Sequence, residues 1–252
     1  MDPYILKNKN YITSHKLQEF IKCPFCFKKK HIELVPSPRQ GTPEYFVVGQ
    51  AFDDYMTHGQ EEYCKKYEVV ERRDKNKTTD RLQLTKGQGE TIDALLKGYN
   101  LNPFFDKKVS KKILEGELFG VKVRGELDHF ADASNTIIDI KTTANLFKFD
   151  PMSYVYQMAF YHLLMEEIED RRCSVRLYVC EKDVEVPKSE CFEFSQESLM
   201  EGRRHVLLDM VKYVDALENN EFPPTTDRYT LLTSCEYYGV EGHGIQDHII
   251  TI

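Results

Sequence analysis

Residues 121–142 read VKVRGELDHFADASNTIIDIKT, and the interpretation of the 252-residue chain turns on them. Val121, Val123 and Leu127 alternate with Lys122, Arg124, Glu126 and Asp128, the period of two of a strand with one buried and one polar face. Gly125 falls on the buried face. After the turn-like Ala131-Asp132-Ala133-Ser134-Asn135, a second strand covers Thr136 to Thr142, with Ile138 and Ile140 on one side and Asp139 and Lys141 on the other. Antiparallel pairing of these two strands would present their acidic groups from one sheet face. Two carboxylates so placed can hold a hard divalent cation, because Mg²⁺ takes oxygen ligands and keeps waters for a phosphate. An ammonium at Lys141 would then stabilise charge on an attacked phosphate. Taken alone, Asp-x-Lys is most often an ordinary solvated strand face, so its surroundings have to decide.

Downstream, the pattern from Met152 to about Glu167 is helical and apolar nearly all round, which predicts a sandwiched helix. Ser174 to Cys180 reads as a strand, so the order strand, helix, strand predicts a crossover. Phe192 to Phe194 adds a further strand. An amphipathic helix runs from about Gln196 to Leu217 with Ser195 as its N-cap, and Pro223-Pro224 stops it. Upstream, a helix starting at Ser14 as N-cap is broken near Pro24, and a proline-rich loop covers 35–43. A second helix spans 44–66, Glu71 to Gln88 reads as a charged, solvated connection or a mobile arm, a short helix covers Glu90 to Tyr99, and Glu115 and Glu117 alternate with Leu114 and Leu118 as on a solvated strand face. Together these predict one α/β domain over 1–252. It comprises a helical part (1–110), a core with a central mixed sheet flanked by helices (111–220) and a tail (221–252).

Lys and Arg number 34 against 41 Asp and Glu, a net charge of −7, which argues against coating DNA by charge alone. With 41% hydrophobic and 12% aromatic residues the chain can bury a core. No apolar run is long enough to span a membrane and the first thirty residues do not read as a signal peptide, so the expected location is cytoplasmic. Seven scattered cysteines predict reduced, mostly buried thiols.

Gly125-Glu126-Leu127-Asp128, then Asp139-Ile140-Lys141 and then Gln157 with Tyr161 resembles the PD-(D/E)XK nuclease superfamily. More narrowly it looks like the RecB-type branch, which includes phage and RecE-like exodeoxyribonucleases. Gln157 and Tyr161 are four apart and share a helical face. Ser14, Leu17, Phe20, Cys23-Pro24 and Phe27 also resemble the N-terminal helix of that branch. The resemblance spans residues 14–161 and is looser after 182.

The resemblance implies a restriction-endonuclease-like core. It makes Asp128, Asp139 and the carbonyl of Ile140 ligands of Mg²⁺ or Mn²⁺, Lys141 the catalytic lysine, and Gln157 and Tyr161 positioning groups. Many relatives carry Gly-x-x-x-His in a preceding helix. Here Gly49-Gln50-Ala51-Phe52-Asp53 puts Asp53 at the place of the His, where it reads equally as a ligand or as an exposed acid beside Asp54. Cys23 and Cys26 suggest soft-metal binding, but Cys235 is the only cysteine in the last fifth, so no iron–sulfur cluster is expected. Glu115 and Glu117 are second-tier acids, while His129 and His162 read as packing residues. Lys28-Lys29-Lys30, Arg72-Arg73, Lys107-Lys108 and Lys111-Lys112 are candidate phosphate contacts or plain surface. The activity implied is metal-dependent hydrolysis of DNA, exonucleolytic on linear ends, in a phage-type recombination setting with a homo-oligomer and a recombinase partner. Two rivals are a single-strand or structure-specific endonuclease and an inactive nucleic-acid-binding module.

Overall fold

The computed structural model describes residues 10–35, 44–72, 81–100, 111–182, 185 and 188–225. In chain order the elements are α1 (Ser14–Lys22), α2 (Pro24–Phe27), a π-helical turn (Lys28–Ile32), α3 (Glu44–Lys66), β1 (Tyr67–Val70), β2 (Leu82–Thr85), α4 (Lys86–Asn100), β3 (Lys112–Leu118), β4 (Val121–Leu127), β5 (His129–Ala131), β6 (Thr136–Thr143), α5 (Val155–Glu169), β7 (Ser174–Glu181), β8 (Ser189–Glu193) and α6 (Gln196–Asn219). Short 3₁₀ turns at Leu146–Lys148 and Pro151–Tyr154 lie between β6 and α5. The chain divides into two compact units made of separated pieces. One comprises Met1–Gln40, Glu115–Arg124 and His205–Ile252; the other comprises Gly41–Leu114 and Gly125–Arg204.

In the first unit the helix break falls where proline demands it. Pro24 opens α2, where its missing N–H removes no helical bond. Cys23 serves both helices: its N–H donates to Glu19 O at 3.0 Å, closing α1, and its Sγ accepts from Cys26 N–H. The N-cap of α1 is Thr13, one residue before the expected Ser14, with Oγ1 accepting from Lys16 N–H at 3.3 Å. Phe20, Phe27 and Tyr213 form an edge-on aromatic cluster with centroids 5.2–5.6 Å apart.

In the second unit a four-stranded mixed sheet has the order β5-β6-β7-β8, with β6 and β7 parallel and the outer pairs antiparallel. The parallel pair is joined by α5, the crossover the sequence predicts. Helix α5 buries every residue from Met158 to Met165, which is why its apolar pattern shows no single stripe. Val48 and Phe52 of α3 and Leu95 and Tyr99 of α4 pack with Ile138, Tyr178 and Cys180 of the sheet. Mixed sheet and flanking helices are thus those expected.

Two local expectations fail. The stretch 71–88 is not wholly a solvated connection. Leu82–Thr85 forms β2, paired in parallel with β1 and burying Leu84 completely, and α4 starts four residues early at Lys86. Residues 73–80 lie outside the described residues. Likewise β4 does not pair with β6. It pairs with β3, and β6 takes β5, a three-residue continuation beyond Asp128, as its antiparallel partner. Ser195 caps α6 as expected, accepting from Ser198 N–H at 3.1 Å.

Candidate active site

The break between β4 and β5 places Asp128. The β5–β6 ladder ends at His129 opposite Ile138, and two residues further on the Ile140 N–H donates to Asp128 Oδ2 at 2.8 Å. A side chain thereby takes the place of the missing strand neighbour. Asp139 is 1% exposed, and its Oδ2 lies 2.5 Å from Lys141 Nζ. That approach is an ion pair, and among the described residues Oδ2 has no donor besides Lys141. Burial, and then the neighbouring Asp139, push Asp128 up to about 7 against the pull of Lys141 and the Ile140 N–H. Burial draws Lys141 down, but Asp139 and Asp128 outweigh it, and its ammonium holds its proton above the ordinary lysine value.

Asp53, on α3, is bound to Lys111: Oδ2 and Nζ are 2.7 Å apart, with Glu126 Oε1 at 3.9 Å from the same ammonium. Burial lowers Lys111, and Asp53, Asp128 and Glu126 raise it further than burial lowers it. Lys111 is the residue that sequence reading missed as a member of this group. It looked like one of a surface run, and a pairing across 58 positions leaves no local pattern. Among the described residues no three His, Cys, Asp or Glu side chains converge closely enough to hold a metal between them.

Gly125 explains the packing beneath the motif. A Cβ there would meet Leu164 Cδ1 at 3.0 Å and Tyr161 Cδ1 at 3.2 Å, so its absence lets α5 close on the strand. Tyr161 is buried, and Gln157 Nε2 donates to its hydroxyl at 2.8 Å. Tyr154, which the sequence did not single out, has its ring centroid 5.4 Å from Lys141 Nζ.

Other candidates are engaged elsewhere. Glu115 is bound by Arg124 at 2.5 Å and Tyr11 Oη at 3.1 Å within the first unit. Lys28 reaches Asn220, Lys29 reaches Glu33, Lys30 reaches Glu19 and Lys112 reaches Glu169. Lys107, Lys108, Arg73 and Cys235 lie outside the described residues. His129 and His162 are buried, 7% and 3% exposed. The His162 ring is not fully satisfied: Nδ1 has no hydrogen-bond partner among the described residues. No helix among the described residues is long and apolar enough to cross a membrane.

A family model described as a PDDEXK-like domain of unknown function (DUF3799) matches residues 13–235. The chain belongs to that family. It is thereby a member of the PD-(D/E)XK nuclease superfamily, with the α/β fold of that group. A crystal structure from Eubacterium rectale, described provisionally as an exonuclease, superposes with TM-score 0.72 at 17% identity. The alignment covers 97% of this chain and 94% of the other. A second solved structure, SSO0001, aligns at TM-score 0.34 and 12% identity over 81% of this chain and 84% of its own, too loosely to bear on the fold. No curated protein matches the sequence.

Proposed function

We propose that the chain is a metal-dependent deoxyribonuclease working in the cytoplasm as one nuclease domain, and that it digests linear DNA from its ends. The observation that carries this reading is the half-buried Asp128 beside the buried Asp139, with Lys141 on the strand of Asp139, in a member of the PDDEXK-like family. A buried and a half-buried carboxylate, the first with an oxygen that finds no hydrogen-bond donor among the described residues, suit a hard dication that is held by one or two carboxylates and keeps its waters. Asp128 and Asp139 would hold it, with the Ile140 carbonyl as a third donor. Bound there, Mg²⁺ or Mn²⁺ supplies a polarised phosphate and a water acidified toward neutral pH.

Lys141, an ammonium at neutral pH, places positive charge where phosphate charge develops and does not serve as a base. The Asp128 carboxylate, fixed by the Ile140 N–H, sets the position of the second oxygen donor. Gln157 orients Tyr161, whose ring holds the strand against α5. Resemblance to the RecB-type branch supports exonucleolytic action, 5′ to 3′ on duplex ends, by a ring-like oligomer serving a recombinase. The description of the Eubacterium rectale protein favours the same reading.

The Asp53–Lys111 pair is the one observation that favours the inactive-module reading, because it removes a third acid from the group. Linear and covalently closed DNA incubated with Mg²⁺ or Mn²⁺ test the proposal. Digestion of linear DNA alone is expected. Nicking of closed circles would replace it with an endonuclease, and binding without cleavage would replace it with the module.

A further inference from the structure

Phe147 is 95% exposed, more than any other large apolar side chain among the described residues. Burying such a ring is favourable, so its exposure in an ordered segment calls for a reason. The segment is fixed on every side. Leu146 is buried, its N–H donates to Glu181 Oε1 at 3.3 Å, and the Asn145 side chain caps the turn by accepting from Lys148 N–H at 3.2 Å. Asn145 N–H donates to Thr143 Oγ1 at 3.2 Å, and Phe149 N–H to Leu146 O at 3.1 Å. Phe147 is thus held out on a rigid turn that continues directly from β6, six residues after Lys141.

The neighbouring rings have used their faces on one another. Phe149 stacks between Tyr154, at 5.5 Å and 16°, and Phe192, at 6.0 Å and 29°, and Tyr154 in turn meets Lys141 Nζ. This half-exposed row runs from Phe192 to the catalytic-strand lysine and leaves Phe147 as the ring with open faces, beside the exposed Lys148. A fixed aromatic face next to a cation is the composition of a stacking platform for single-stranded nucleic acid, where the ring takes a base and the cation takes a phosphate.

We propose that Phe147 stacks on a nucleobase of the strand being cut and seats the adjoining phosphate toward Lys141. This rests on the nuclease reading above and adds a base-binding subsite to it. Because the chain contains no tryptophan, Phe147→Trp introduces a single fluorescent reporter at the site. Its emission should be quenched on rapid mixing with a 20-nucleotide single strand in Mg²⁺. Phe147→Ala should weaken binding of that strand roughly five- to a hundredfold, the size of one base–aromatic stack, with Phe147→Trp restoring it. An abasic site walked along the oligonucleotide should reveal one position where wild type loses affinity and Phe147→Ala loses nothing more.

No quench, or an alanine variant that binds intact and abasic strands as wild type does, overturns the inference. So does dissociation of an oligomer by Phe147→Ala, which would make the ring an interface residue. Quenching without any DNA cleavage would leave the stacking site standing and remove the nuclease reading; cleavage without quenching would do the reverse.

Discussion

Each of the two units gathers charge away from solvent, and the two gatherings are opposite in kind. In the first, a single carboxylate, Glu19, is surrounded by Lys30, His15 and His31. Burial alone would raise it, but those three partners hold it far below the usual carboxylate range. In the second, Asp128 and Asp139 share Lys141, Asp128 rises to about 7, and among the described residues Asp139 Oδ2 has no donor besides that lysine. The structural cluster surrounds one carboxylate with donors and an ammonium; the candidate active site sets two carboxylates against one ammonium. That shortage is what a dication and a phosphate would fill, and it separates the two clusters more cleanly than burial does.

The sharpest way to break the contrast is Asp139→Asn. It should abolish DNA cleavage, by about a thousandfold or more, in gel assays with Mg²⁺. Urea unfolding of the same variant should show a separate cost, because Lys141 loses its ion-pair partner and keeps only Asp128 to balance the ammonium. Retained cleavage would remove Asp139 from the site. Glu19→Gln should act on stability alone. It leaves two histidines and a lysine without their acid and should cost about 1–3 kcal/mol in urea unfolding, while the folded fraction still cleaves.

pH separates the clusters by sign. Asp128 has a folded value above its unfolded one, so between about 4 and 7 the native metal-free state holds a proton that the unfolded chain has released. Its contribution therefore falls as pH rises through that window and levels off above 7. Glu19 has a depressed folded value, so its contribution is present above the unfolded value of 4.5 and is lost as pH falls below it. Metal affinity measured by calorimetry should accordingly weaken up to about tenfold per unit below pH 7, as Asp128 takes up its proton. Affinity that is flat from pH 5 to 8 would contradict the placement of Asp128 at the metal. The smallest effect is expected from Lys111→Met. It removes positive charge from beside Asp53 and Asp128 and should tighten Mn²⁺ binding at pH 8 by several-fold. Weaker binding would mean that Lys111 organises the carboxylates instead of competing for one.

Much of the frame was legible because it is written locally. Alternation in 121–127 and 136–142 gave the strands, the unbroken apolar run of 158–165 gave the buried crossover helix, and Pro24 gave the helix break. Asp128, Asp139 and Lys141 could be placed together because they lie within one supersecondary unit. What escaped depends on distant partners. The β1–β2 pair joins short strands from either side of a charged stretch, and Lys111 finds Asp53 only in three dimensions. The substitution of Asp128 for a ladder neighbour of Ile140 was equally invisible, since alternation sets side-chain direction but not where a pairing ends.

The Asp53–Lys111 pair also has a consequence for how such chains can change. A histidine at position 53 would be neutral or cationic and would take from the Lys111 ammonium its nearest acid, leaving Glu126 at 3.9 Å and the charge of Asp128. An alanine at 111 would leave Asp53 as uncompensated charge. Either change alone removes one partner of the pair and alters the charge that the other meets. The two positions, 58 residues apart, are thus coupled through charge, although nothing in the chain between them links them.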